Sequence, residues 1–297
     1  MSQRKATSQR KIGCFAILVL LALPVGAADP AEELKIVFIA YQNPNQLIED
    51  VRPVTEYLEK KLGRPIRSFV ATDYAGVVEA LRYGSADVGF MGPLQYVLAH
   101  EQVGAYPILG EVYNGEATYT SRIFVRKDSN LDSVEDLRGK TMAFVDPISS
   151  SGFLYPLDIF KRKGLVSGRD DMESFFDRVY FAGGDEQAIR AVLNGFVDAA
   201  GVGQYSFSLL RPEERDAITE IAESLPIPSH CVVVRKDLDK TSVARLRSAL
   251  LALNDGSDRR LLQYLYNVDG YVEVDASTYA GVARLAKAYG FLRRSGG

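Results

Sequence analysis

Thr141-Met142-Ala143-Phe144-Val145-Asp146-Pro147-Ile148-Ser149-Ser150-Ser151-Gly152 runs from an apolar stretch into a proline turn and three consecutive serines, and residues 153–163 continue with helical character. Strand, turn and helix in that order are the working unit of an α/β fold. Three small hydroxyl residues at such a junction gather side-chain donors and backbone N–H groups in one place. The first turn of a helix has N–H groups without internal partners, and its dipole favours negative charge. The junction therefore offers a seat for a tetrahedral oxyanion. An ordinary serine N-cap would need only one of the three. Pro156 is compatible only with a regular helix beginning close to Ser151 or Gly152, because a deeper proline clashes with the preceding turn.

The same alternation extends in both directions. Residues 35–40, 66–71 and 87–91 read as strands. Residues 46–62 follow the first as one helix, with Ile48, Val51, Val54, Leu58 and Leu62 on a single face. Residues 74–83 carry Tyr74, Val77, Val78 and Leu81 at helical spacing and stop at Gly84; Pro93 opens another helix through His100. The pattern then repeats. Residues 121–125, 141–145, 178–181, 199–202, 218–222 and 231–234 read as strands, and residues 153–163, 185–194, 205–210, 243–253, 259–264 and 279–289 as helices. Strand–helix alternation predicts parallel sheet covered on both faces.

The N-terminus predicts where the protein works. Arg4, Lys5, Arg10 and Lys11 precede an apolar core at residues 12–23, and Pro24-Val25-Gly26-Ala27-Ala28 closes it with small residues. This order reads as a secretory leader over residues 1–28, cut after Ala27 or Ala28. The core is short for a membrane span, and Cys14 stands at its start, badly placed for a lipid-anchored product. Loss of the four positive charges takes the formal charge from −3 to −7. A mildly acidic chain without a basic stripe is no nucleic-acid binder. Cys231 then remains alone, so no internal disulfide forms, and its apolar strand setting reads as packing rather than nucleophile. His100 and His230 are the only histidines and neither has a second ligand at motif spacing, so neither a metal nor any other cofactor is expected.

The remaining chain, near 270 residues, suggests two lobes. No Pro/Gly/Ser linker separates them, which points to chain crossings near residues 118–127 and 223–228. The first lobe would comprise residues 29–120 and 226–297, and the second residues 121–225.

Several segments together resemble the periplasmic phosphonate/phosphite/phosphate-binding proteins of ABC importers. Ala71-Thr72-Asp73-Tyr74, Glu79-Ala80-Leu81-Arg82-Tyr83-Gly84 and Asp87-Val88-Gly89-Phe90-Met91-Gly92-Pro93-Leu94-Gln95 carry the likeness in the first half. Asp136-Leu137-Arg138-Gly139-Lys140, the serine motif, Ala191-Val192-Leu193-Asn194-Gly195, Val197-Asp198-Ala199, Pro226-Ile227-Pro228 and Val233-Val234-Arg235-Lys236-Asp237-Leu238 carry it in the second. The most specific part is Asp-Pro-x-Ser-x-Ser-Gly; the last forty residues match loosely.

The resemblance implies an α/β fold of the type II periplasmic-binding-protein kind, with mixed sheets flanked by helices and a cleft between lobes that close by hinge motion. It implies a monomer that captures a small oxyanion and hands it to a membrane permease. Ser149, Ser150 and Ser151 match the positions that hold phosphonate oxygens, and Tyr74 and Tyr119 match tyrosines that line the cleft. Gln204 and Tyr205 follow a strand and are candidates for further cleft contacts; a plain strand–helix turn is the other reading. Tyr96 reads as helix packing. One position departs from the family, whose phosphonate binders carry a Gly-Ser-His-Asp turn where this chain has Gly183-Gly184-Asp185-Glu186. Asp185 either caps the helix that starts there or favours a ligand with a donor-rich or aminoalkyl tail. A sensor that reports to a membrane receptor, or a binder of another small anion or zwitterion, would use the same fold. An exported enzyme has little support: the chain lacks a cysteine–histidine or metal constellation, and a Ser–His–Asp set would need His100 or His230 to reach the serines, with no nucleophile-elbow motif to support it.

Overall fold

The computed structural model describes residues 32–39 and 44–292. The predicted leader, Cys14 and the end of the first predicted strand at Ala40 lie outside them. Strands β1 (Leu34–Ile39), β2 (Ile66–Ala71), β3 (Val88–Met91) and β4 (Tyr106–Val112) are followed by β5 (Thr118–Tyr119), β6 (Ser121–Arg126), β7 (Thr141–Phe144), β8 (Arg178–Phe181), β9 (Ala199–Gly203) and β10 (Ile218–Glu223). Strands β11 (Ile227–Pro228), β12 (Cys231–Val234) and β13 (Gly270–Glu273) complete the set. The helices are α1 (Pro44–Asp50), α2 (Arg52–Leu62), α3 (Tyr74–Arg82), α4 (Pro93–Val103), α5 (Tyr155–Arg162), α6 (Asp185–Leu193), α7 (Pro212–Arg215), α8 (Lys240–Leu251) and α9 (Ala280–Ala288).

Two sheets organise two α/β lobes. The first runs β13-β4-β12-β3-β1-β2 and the second β10-β6-β9-β7-β8. Neither is purely parallel. β2, β1 and β3 are parallel, and β12, arriving from the far side of the second sheet, enters antiparallel between β3 and β4. β8, β7 and β9 are parallel, and β6 lies antiparallel against β9. The alternation read from sequence thus holds for three strands in each sheet and gives way where the chain crosses. Between the sheets, β5 and β11 pair antiparallel as a two-stranded ribbon.

β1 is buried on both faces, as a near-continuous apolar strand should be. Ile36 and Phe38 enter one core with α2 and α8, and Val37 and Ile39 another with α3 and α4. The second core continues into the second sheet through Phe144, Phe153 and Phe160. The residues flanking α9 add to that continuity: Tyr279 packs edge-on to Tyr96, and the Tyr289 hydroxyl donates to the buried Asp158 at 2.5 Å.

Three predicted helices differ. The 46–62 helix is broken at Val51, because Pro53 lacks the N–H that would bond back to Glu49. Residues 204–209 and 259–264 wind as 3-10 turns. β4 and β13 form where the sequence reading assigned no strand; Pro107, Gly110 and Glu111 interrupt the apolar run of β4, and pairing with β12 and β13 makes it a strand.

Candidate ligand-binding site

The parallel strands deliver the site. β2 leads to Tyr74 at the start of α3, β3 to Pro93 at the start of α4, β7 to the serines, β8 to Asp185 at the start of α6, and β9 to Gln204. Ligands of open α/β sheets sit beyond the carboxyl ends of strands, and these five follow such ends in both sheets.

The serine turn is wound wider than an α-helix. Ser150–Leu154 is a π-helical turn, with Leu154 N donating to Ser149 O at 3.0 Å and Tyr155 N to Ser150 O. Such single π turns concentrate at functional sites. α5 begins only at Tyr155, which puts Pro156 at its first turn, where a missing N–H costs nothing. The Gly152 carbonyl that Pro156 leaves free accepts Val145 N at 3.0 Å. Gly152 has to be glycine: a Cβ there would lie 2.3 Å from the Val145 Cβ.

The three buried serines do different things. Ser149 Oγ caps the turn by accepting Gly152 N at 3.0 Å, as a plain N-cap would. Ser150 Oγ reaches the other lobe and accepts Leu94 N, in the first turn of α4, at 2.8 Å. Ser151 is held through its carbonyl, which accepts Ser121 Oγ at 2.6 Å.

Two phenols close on this turn. Tyr74 is buried, and burial together with the Asp185 and Asp146 carboxylates raises its pKa well above the ordinary tyrosine value, with a contact from Ser149 offsetting part. Tyr119 is equally buried, and its hydroxyl makes no hydrogen bond among the described residues. Ser151 and Ser150 lie close enough to ease its ionisation, short of hydrogen-bonding geometry, but burial dominates and keeps it a neutral donor. An unpaired buried hydroxyl is costly, so it marks a place where a partner is expected.

Asp185 does not cap α6. Gly184 holds the N-cap position without a side-chain bond, and Asp185 is the first helical residue. Its Oδ1 instead accepts Gly203 N at 2.9 Å and Ser206 Oγ at 2.8 Å, across the start of the 3-10 turn after β9. Burial raises its pKa, and those two bonds oppose the rise. Gln204 is committed to the crossing: its Oε1 accepts both Thr120 N, at 2.9 Å, and Thr120 Oγ1, at 2.7 Å. Tyr205 is half-buried and packs its ring 5.3 Å from that of Tyr113, which follows β4 of the first sheet.

Two neighbours escaped the sequence reading. Gln95 forms a capping box with Gly92, its Oε1 accepting Gly92 N at 2.7 Å, while its Nε2 donates to Tyr74 O at 2.9 Å. The Gly-x-x-Gln spacing after a strand is a capping signal. His230, which the sequence offers as a metal ligand without company or a distant candidate for a Ser–His–Asp set, stacks its ring 5.2 Å from that of Tyr119. Burial holds its pKa down to about 4, so the imidazole is neutral at pH 7. His100 bonds Ala105 O at the far end of α4, outside this cluster. Cys231 is buried with Sγ 3.8 Å from Met91 O, and burial raises its pKa far above the ordinary thiol value.

The geometry has relatives. The phosphate-import protein PhnD of Mycolicibacterium smegmatis is 36% identical over 173 residues, covering 57% of this chain and 54% of that protein. The phosphonates-binding periplasmic protein of Escherichia coli is 30% identical over 236 residues, covering 77% of this chain and 68% of that protein. PhnD1 of Prochlorococcus marinus, solved in complex with methylphosphonate, superposes with a TM-score of 0.77 over 88% of this chain and 99% of that one. At 19% identity that likeness speaks for the fold. The family described as the phosphonate periplasmic substrate-binding protein of ABC transporters matches residues 36–279, and the chain belongs to it.

Proposed function

We propose that this protein captures a small phosphorus oxyanion, of phosphonate, phosphite or phosphate type, in the periplasm and delivers it to the permease of an ABC importer. In this reading residues 1–28 are removed as a leader, residues 29–120 and 226–297 build one lobe, residues 121–225 build the other, and the molecule acts as a monomer. Tyr74, Tyr119, Ser149, Ser150 and Ser151 take the oxyanion, Asp185 adjoins it, and Gln204 and Tyr205 shape the second lobe's edge of the site. The reading rests on the convergence of two neutral phenols, one of them unpaired, on a serine turn at strand ends of both sheets. Hydroxyl and N–H donors disperse the charge of an oxyanion without a buried cation.

Replacing Ser149 and Ser151 together with alanine should abolish methylphosphonate and phosphate binding in calorimetry. Each lost bond to a charged group should cost on the order of 1.5–3 kcal/mol, with the circular dichroism spectrum unchanged. Unaltered affinity would reduce the serines to a helix cap.

A further inference from the structure

The oxyanion site contains an acid, and the acid faces its donors. The carboxylate charges that act on the Tyr74 phenol are those of Asp185 and Asp146, and Asp185 acts on the Tyr119 phenol as well. The backbone at Gly203 draws Asp185 to the serines: a Cβ placed there would lie 3.2 Å from Ser151 Oγ and 3.5 Å from Asp185 Oδ1. Gly203 N and Ser206 Oγ both donate to Oδ1, which suits an ionised, acceptor-only carboxylate, while Oδ2 takes no bond among the described residues. His230, neutral beside Tyr119, brings no compensating charge.

A fully ionised oxyanion in this ring of donors meets repulsion from Oδ2. An oxyanion that keeps one acid proton gives it to Oδ2 as a short charge-assisted hydrogen bond. Sulfonates and sulfate have the same tetrahedral shape and no such proton near neutral pH. We propose that Asp185 selects the protonation state of the head group, admitting singly protonated phosphorus oxyanions and rejecting both their fully ionised forms and the isosteric sulfonates. This rests on the oxyanion reading of the site. The assignment concerns the head group, whereas a tail-selecting Asp185 would be indifferent to it.

The groups packed around Asp185 leave the ligand's own ionisation visible. Tyr74 on α3 and Tyr119 on β5 keep their protons, and His230 ahead of β12 stays uncharged. Ser206 and Ser151 do not titrate. Asp146, after β7, is the other carboxylate, its pKa raised by burial and by the charge of Asp73 and lowered by the bond from Ile148 N.

Calorimetry with methylphosphonate, phosphite and methanesulfonate across neutral and alkaline pH tests this. Methylphosphonate affinity should fall about tenfold per pH unit once the dianion dominates in solution. Buffers of different ionisation heat should then show uptake of one proton per ligand bound. Methanesulfonate should bind roughly ten- to a hundredfold more weakly than methylphosphonate at neutral pH, the worth of a hydrogen bond to a charged group. Asp185→Asn keeps the acceptor for Gly203 N and Ser206 Oγ and adds a donor, so it should erase the pH slope and narrow the phosphonate-over-sulfonate ratio by about tenfold. Ser206→Ala, which leaves the carboxylate in place, should retain the slope. Thermal melting checks that the variants fold; if Asp185→Asn does not, slope and proton uptake in the unaltered protein decide. Affinity flat across the ligand's second ionisation, or an unchanged ratio in Asp185→Asn, would overturn the inference alone. Absence of binding by every oxyanion at every pH would overturn the oxyanion reading and the inference with it.

Discussion

The two lobes follow one plan, and they differ where their strands point at the ligand. The order β2-β1-β3-β12-β4 in the first sheet matches β8-β7-β9-β6-β10 in the second. At the ends away from the site the parts are nearly interchangeable. α3 and α6 are followed by Gly84 and Gly195, both at φ 71°, and at each an arginine nitrogen, of Arg235 or Arg126, stands 2.6 Å from where a Cβ would be. Asp87 accepts the backbone N–H of Lys35 at 2.9 Å, and Asp198 that of Thr141 at 2.8 Å, so each aspartate pins the start of its central strand. At the site ends a one-residue shift changes a role. Asp73 precedes α3 and caps it, accepting Gly76 N at 2.7 Å. Asp185 is the first residue of α6, cannot cap it, and turns to Gly203 and Ser206 instead. The same residue type at a helix start is scaffold in one lobe and, in the proposed reading, part of the site in the other.

The fifth strands of these two orders, β4 and β10, give the sharpest contrast and the largest expected effect. Glu111 on β4 is fully buried, and among the described residues its side chain has only the Tyr113 hydroxyl as a hydrogen-bond partner, at 2.7 Å, whereas its counterpart on β10, Glu220, meets Arg122 at 2.8 Å near the surface. Burial raises the Glu111 pKa to about 7. The folded chain therefore holds a proton that the unfolded chain releases, and this contribution is full below about pH 4.5 and lost as pH rises through about 7, on the order of 3 kcal/mol. His230 works in the opposite sense, since a pKa lowered to about 4 adds stability as pH rises from there to about 6.5. Melting temperatures of Glu111→Gln across pH 4–8 should lose the decline and leave the rise due to His230. A variant with the unaltered profile would show Glu111 to be better solvated than its burial implies. Glu220→Gln should change stability by under about 1 kcal/mol at any pH, as a partly exposed pair near the surface does.

The pinning aspartates come next. Asp198→Ala should destabilise by about 2–3 kcal/mol in urea unfolding, and Asp87→Ala by somewhat less, about 1.5–2 kcal/mol. The order follows from Thr141 Oγ1, which adds a second bond to Asp198, 2.7 Å long, where Asp87 has only a distant Arg235 at 3.9 Å. The reverse order would break the equivalence of the two strand starts. Asp73→Ala should do least, about 1 kcal/mol of helix capping, with the pH dependence of ligand binding unmoved. A change in that dependence would make Asp73 part of the site and dissolve the contrast with Asp185.

Much of this plan can be read from sequence because it is local. Period and punctuation place Tyr74, the serines and Asp185 at strand-to-helix junctions, and Asp-Pro-x-Ser-x-Ser-Gly marks the proposed anion seat. What escapes depends on distant partners. β4 is a strand because β12 and β13 lie beside it, in spite of Pro107 and Gly110. The π turn reflects the freed Gly152 carbonyl meeting Val145. Gln95 and His230 acquire roles only when α4 and β12 bring them beside Tyr74 and Tyr119. The choice between a capping and a site Asp185 needed the partner on β9, eighteen residues on.

Cys231 has a practical consequence. Besides Cys14, which lies in the predicted leader, it is the only cysteine of the sequence; it is buried, and its thiol is held protonated by burial, so it should ignore thiol-directed dyes while the protein is folded. A single cysteine introduced at an exposed position such as Phe196 or Tyr83, one on each lobe, would carry a fluorophore or spin label without background. The distance between two such labels would report lobe closure directly, ligand by ligand, in solution.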